Sequence, residues 1–185
     1  MLYVEPAEIA DVKIISPKRF VDERGFFAEV HSRRGFREIG IDLEFVQDNH
    51  AYSAAAGTLR GLHFQSPPFA QDKLLRVTRG SILDVAVDLR QSSSTFGRYV
   101  AIELSRDNWR QLLVPVGFAH GYVTLEPDTE VIYKVTNYYA PEHDHGLAWD
   151  DPALAIDWRI DAGRAILSDK DRKHPRLADL PKYFD

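Results

Sequence analysis

Two histidines stand at spacings that could serve a reaction or hold a metal. His63 closes the segment Gly57-Thr58-Leu59-Arg60-Gly61-Leu62-His63, and His120 closes Pro115-Val116-Gly117-Phe118-Ala119-His120. Imidazole changes charge near neutral pH and is the commonest metal ligand. A stable transition-metal site needs three or four N or O ligands, and this pair supplies two. Strand alternation adds two more reactive groups. Tyr133 shares a face with Val131 and Val135, and Lys73 with Leu75 and Val77, so both are expected to point into the interior. His63 is expected on the same face as Leu59. Taken singly, Lys73 could snorkel out from a strand end and Tyr133 could be ordinary core. Together, a histidine, a lysine and a tyrosine lining one cavity point to chemistry, because buried lysines are rare unless paired or functional. His143 and His145, beside Glu142 and Asp144, read as a solvated pair in a polar loop.

The elements that must carry these groups are short and mostly of period two. In Ile82–Leu89, the residues Leu83, Val85, Val87 and Leu89 fall on one face and Asp84 and Asp88 on the other. Tyr99–Leu104 alternates in the same way, with Val100, Ile102 and Leu104 together. Further strands are predicted at 12–15, 26–31, 59–64, 73–77, 111–114 and 130–137 from their β-branched and aromatic content. Turn signals at 22–25, 66–68, 79–80, 92–94 and 126–128 separate them. Such punctuation predicts an all-β sandwich or small barrel. Helix is expected only over Arg33–Ile39, stopped by Gly40, and as short turns from Ser168 onward, interrupted by Pro175 and Pro181.

The chain has 185 residues, which favours a single domain over 1–185 with a core of its own. Hydrophobic residues make up 44% and charged residues 28%, an ordinary globular balance that excludes collagen, a disordered tail and a coiled coil. The net charge of -5 argues against nucleic acid and anionic membranes as partners. There is no cysteine, hence no disulfide framework and no thiolate nucleophile. The longest nearly apolar run, Leu112–Ala119, is far below the ~20 residues of a membrane helix. The N-terminus, with Glu5, Pro6, Glu8 and Asp11, lacks the pattern of a signal peptide. The expectation is a soluble cytoplasmic protein.

The two histidine segments resemble the two halves of a cupin motif, found in jelly-roll barrels whose motif histidines usually hold a metal. In that pattern a second histidine follows the first by two residues, where this chain has Gln65, and no acid stands near Phe69 or Ala70. No metal is therefore expected. Over nearly its whole length the chain is similar to the dTDP-4-dehydrorhamnose 3,5-epimerase family. The matching blocks begin with Asp22-Glu23-Arg24-Gly25-Phe26-Phe27, Phe45-Val46-Gln47-Asp48-Asn49-His50 and Leu59-Arg60-Gly61-Leu62-His63-Phe64-Gln65. They continue with Pro115-Val116-Gly117-Phe118-Ala119-His120-Gly121, Tyr133-Lys134-Val135-Thr136-Asn137-Tyr138-Tyr139, Trp149-Asp150-Asp151-Pro152 and Leu167-Ser168-Asp169-Lys170-Asp171.

The resemblance implies a cupin-like jelly roll that epimerises C3 and C5 of dTDP-4-dehydro-6-deoxy-D-glucose without a cofactor, in dTDP-L-rhamnose biosynthesis. Both carbons flank the C4 ketone, so loss of either proton gives an enolate, and inversion needs a base on one face and an acid on the other. By resemblance His63 is the base, Tyr133 the acid and Lys73 the cation at the enolate oxygen. Asp171 would orient His63; Ser168-x-x-Asp171 also reads as a capping box, and Asp169 competes for the dyad. The resemblance further implies substrate contacts from Arg24, Glu29, Gln47, Asn49, Arg60, His120 and Lys170. Of these, Arg24, Arg60 and Lys170 suit a diphosphate. Tyr138 would stack on thymine, and Asp144 stands where the family usually has glutamate. It also implies a homodimer with exchanged N-terminal strands, Glu29 reaching the partner's site. A 5-epimerase, a 3-epimerase, a ketoisomerase and a non-enzymatic sugar-binding jelly roll are the competing readings.

Overall fold

The computed structural model describes residues 1–185. In chain order the strands are β1 (Leu2–Pro6), β2 (Lys13–Pro17), β3 (Phe20–Asp22) and β4 (Gly25–Phe27). After a short helix, α1 (Arg33–Glu38), come β5 (Gln47–Ser53), β6 (Leu59–Gln65), β7 (Lys73–Arg79), β8 (Ser81–Asp88) and β9 (Tyr99–Ser105). β10 (Gln111–Val114), β11 (Phe118–Thr124), β12 (Thr129–Val135) and β13 (Asp144–Gly146) complete the set. One sheet runs β1-β2-β10-β7-β12-β5 and the other β13-β6-β11-β8-β9, while β3 and β4 form a separate hairpin. The fold is the expected all-β sandwich with few short helical turns, and every pairing within the sheets is antiparallel.

Alternation sorts the apolar residues into three layers. Leu75, Val77, Leu112, Val114 and Val131 of the first sheet meet Ile82, Ala86, Val100, Leu104 and Phe118 of the second, filling the space between the sheets. The outer face of the second sheet carries Leu59, Leu62, Phe64, Leu83, Val85 and Val87, covered by Leu147, Leu154, Trp158 and Phe184 of the C-terminal segment. The outer face of the first sheet carries Ile15, Leu74 and Leu113 beneath Phe36 and Ile41. Both faces of β8 and β11 are thus covered, and every residue of these two strands is buried. Each fully buried aliphatic side chain contributes about 1.5–3 kcal/mol, so the cleft rests on a stiff support.

α1 begins where Ser32 Oγ accepts from Gly35 N at 3.2 Å, and it buries Phe36 against the sheet. Gly40, at φ 81°, lets the chain turn away at its end. In the tail, Asp171–Lys173 forms a single helical turn, and no helix of the chain is long and apolar enough to cross a membrane.

Some expectations need correction. The strand expected over 26–31 stops at Phe27, because β4 pairs only with the exposed β3 and lacks a sheet to extend it. Leu59 and His63 do not share a face. Leu59 belongs to the outer layer, whereas His63 and Arg60 both reach the interior, because the pairing of β6 with β11 shifts register between His63 and Arg60. The irregularity lies at Gly61, whose φ is 133°. A Cβ there would lie 2.5 Å from Gly121 Cα, so the two strands approach closely only because both positions are glycine. His143 and His145 are not simply solvated. Both are half-buried around Ser66 Oγ, at 2.9 and 3.2 Å, and His145 stacks on Tyr183.

Candidate active site

Between the sheets, at the edge bounded by β5 and β6, lies a cleft of about 270 Å³ lined by His63, Lys73 and Tyr133 among others. His63 enters from one sheet, and Tyr133 and Lys73 enter from the other. His120, Tyr122 and Arg60 form its floor and wall, and Lys170 and Asp171 close it from the tail.

His63 Nε2 lies 2.6 Å from Asp171 Oδ1. A neutral imidazole that donates from Nε2 keeps a lone pair on Nδ1, and no protein group engages that atom. Asp171 is itself 4% exposed and takes its place because Ser168 Oγ accepts from Asp171 N at 3.1 Å, at the start of the helical turn Asp171–Lys173. The capping contact and the dyad therefore coexist, and Asp169 plays no part in either. Lys73 Nζ crosses from β7 and donates to the His63 carbonyl at 3.2 Å.

Burial sets the charges of these groups. It lowers the His63 pKa, overriding the opposite pull of Asp171, so the imidazole is neutral at pH 7 and able to accept a proton. Burial also lowers Lys73 to about 8, which leaves it mostly charged at neutral pH. Burial raises Tyr133, opposed by the nearby Arg60 guanidinium, so the phenol holds its proton. Burial pushes Asp171 up, but the imidazoles of His174, 3.4 Å away, and of His63, which hydrogen-bonds it, outweigh burial and hold the carboxyl far below its usual range. A neutral base, a charged lysine and a protonated phenol thus share one cleft.

A metal does not fit this donor set. His120 Nε2 is taken by both oxygens of the buried Asp84, at 2.9 and 3.0 Å. Gln65, at the position of the missing histidine, donates to Phe69 O and Tyr138 O and accepts from Ala140 N, so its amide is fully engaged. His63, Asp171 and His174 do cluster, with ligand atoms all within 4.8 Å. The 2.6 Å between His63 and Asp171 is nevertheless a hydrogen-bond distance. Two ligands of one tetrahedral ion would stand ~3.3 Å apart.

The remaining expected residues divide by position. Gln47 and Asn49 lie on the β5 face that also carries Ala51, a cleft residue, and are joined by a 2.9 Å hydrogen bond. At the mouth, Lys170 and Tyr139 both bind Asp144 Oδ2, at 2.5 and 3.1 Å, and Tyr138 is 64% exposed. Arg24 and Glu29 are not brought to this cleft. Arg24 pairs with Asp22 in the exposed hairpin, and Glu29 accepts from Ser32 Oγ. Sequence reasoning missed three residues: Asp84 beneath His120, Tyr122 in the floor, and His174, whose Nε2 lies 3.4 Å from Asp171. Alternation along Ile82–Leu89 did separate Asp84 from Leu83, but not which face was the interior.

Residues 6–179 match the family described as dTDP-4-dehydrorhamnose 3,5-epimerase. The chain belongs to that family. It is 51% identical over 183 residues to the dTDP-4-dehydrorhamnose 3,5-epimerase of Sinorhizobium fredii (strain NBRC 101917 / NGR234), covering 99% of this chain and 93% of that protein. The crystal structure of the Bacillus anthracis family member with TDP and PPi bound matches with a TM-score of 0.92 and 50% identity, covering 95% and 99% of the two chains. The Legionella pneumophila enzyme in complex with dTDP-4-keto-L-rhamnose matches with a TM-score of 0.93 and 42% identity, covering 98% and 95%. The two-sheet architecture is therefore the jelly roll of the epimerase family.

Proposed function

We propose that the cleft epimerises C3 and C5 of dTDP-4-dehydro-6-deoxy-D-glucose, giving dTDP-4-dehydro-L-rhamnose for dTDP-L-rhamnose biosynthesis. The observation that carries this reading is the opposition of a carboxylate-backed imidazole on one sheet to a protonated phenol on the other. A sugar ring held between the sheets presents one face to each. His63 Nδ1 takes the proton next to the C4 ketone, and the C–H electrons move into the enolate. The charged Lys73 stabilises the developing oxyanion. Tyr133 returns a proton to the same carbon from the other face, with Arg60 near enough to favour the transient phenolate. Asp171 stabilises the imidazolium that forms. Once solvent has taken the proton from His63 and returned one to Tyr133, the step repeats at the second carbon, and product and substrate are isomers, so no redox partner takes part.

Arg60 and Lys170 are suited to the diphosphate, Tyr138 to the thymine, and Gln47, Asn49, His120 and Asp144 to polar contacts along the substrate. The same reading includes a cytoplasmic location. The direct assay is incubation with dTDP-4-dehydro-6-deoxy-D-glucose. Accumulation of the doubly inverted product supports the reading, and an unchanged substrate overturns it.

The same reading includes a homodimer with exchanged N-terminal strands. The β3–β4 hairpin is exposed on Phe20, Val21, Phe26 and Phe27, up to 74%, an apolar surface that a second copy would cover. Arg24 and Glu29, remote from their own cleft, then reach the partner's. Glu29→Ala and His63→Ala proteins, each inactive, are expected to regain activity when mixed under conditions that allow exchange. Proven heterodimers that stay inactive would count against shared sites.

A further inference from the structure

We propose that the Tyr122 hydroxyl is a further substrate contact, hydrogen-bonding an oxygen of the hexose; the proposal rests on the epimerase reading of this cleft. Along β11 the side chains of Phe118, His120 and Tyr122 alternate toward the interior. Phe118 is pure core, His120 is held by Asp84, and the ring of Tyr122 packs in the same apolar layer while lining the cleft. Tyr122 is 5% exposed, and its hydroxyl has no hydrogen-bond partner in the protein.

A buried phenol ordinarily finds a partner, and one left without costs stability that phenylalanine would not. The neighbours that could have supplied one are committed elsewhere. Tyr122 lies opposite Asp84 on one side and Arg60 on the other. Both Asp84 oxygens hold His120, and the Arg60 guanidinium is turned to Tyr52 O and Ser53 Oγ. The hydroxyl is therefore a buried, unpaired donor and acceptor on a residue that lines the cleft, in the field of Arg60 and Tyr133, which line it too. A neutral phenol can donate to a sugar carbonyl and accept from a sugar hydroxyl, so a hexose can use both its capacities, whereas a phosphate offers it acceptors only. In the epimerase reading the reacting ring lies against His63, Lys73 and Tyr133, which line the same cleft as Tyr122, whereas Tyr138 is 64% exposed.

The test compares Tyr122→Phe with the natural chain by calorimetric binding of dTDP and of dTDP-L-rhamnose, together with thermal melting. The variant keeps the ring and deletes an unpaired hydroxyl, so its melting temperature should be unchanged or higher. Its affinity for dTDP-L-rhamnose should fall about threefold to tenfold, the value of one neutral hydrogen bond, while that for dTDP stays the same. Unchanged affinity for dTDP-L-rhamnose, equal weakening toward both ligands, or a lowered melting temperature would each overturn the contact. If the natural chain bound neither ligand, the epimerase reading itself would fail and the contact with it.

Discussion

Tyr133→Phe protein is expected to fold normally and to lose turnover by about 10²–10⁴-fold, the range for removing a positioned acid or base. The substitution keeps the ring that packs against the inter-sheet core and removes only the hydroxyl. Were that hydroxyl a structural hydrogen-bonding group, its loss would cost about 1–3 kcal/mol of stability and leave turnover per folded molecule nearly intact. The catalytic role gives the opposite pattern, because proton removal by His63 does not need the phenol but inversion does. Exchange of substrate hydrogen with retained configuration can then persist, since His63 returns its own proton to the same face. Exchange, inversion and melting measured on one sample separate the two roles. A folded variant with near-wild-type inversion would remove Tyr133 from the mechanism.

His63→Ala, in contrast, should abolish exchange and inversion together, with a loss of similar or greater size. The pH profile of the natural enzyme provides the companion measurement. Burial lowers the His63 pKa, so the acid limb of kcat/KM should lie below the ordinary 6.5 of histidine, where protonation removes the base. Lys73 loses its charge near pH 8, so activity should fall again above that point as the oxyanion loses its cation. Lys73→Arg, which stays charged, should carry the remaining activity to higher pH. An acid limb well above 6.5 would mean that Asp171 outweighs burial, and a base limb unmoved by Lys73→Arg would assign it to another group.

The reactive groups were readable where strand alternation is regular. Lys73 and Tyr133 lie on strands paired without interruption around them, and both face the interior as their apolar neighbours predict. His63 was found by its spacing, but its face was misread. Gly61 breaks the alternation, so Arg60 and His63 point the same way although three positions separate them. β8 and β11 are covered on both sides, so hydropathy alone could not tell the cleft face from the outer face, and Asp84 and Tyr122 went unassigned. His174 lies in the tail, where no periodic pattern connects it to β6. Its ring fills the space where a Cβ on Gly146 would stand, 2.3 Å from its Cε1 and Nε2. The helix over 33–39 was readable because Ser32, Phe36 and Gly40 mark its start, its buried side and its stop.

The central claim, proton transfer at both carbons beside the ketone by groups on opposite sheets, is tested most directly in deuterated buffer. The natural enzyme is incubated with dTDP-4-dehydro-6-deoxy-D-glucose, and the product is read by NMR for label and configuration at each carbon. The account predicts deuterium at both C3 and C5 with both centres inverted. Label and inversion at one carbon alone would contradict the double epimerisation, and inverted product without solvent label would contradict proton exchange through His63 and Tyr133.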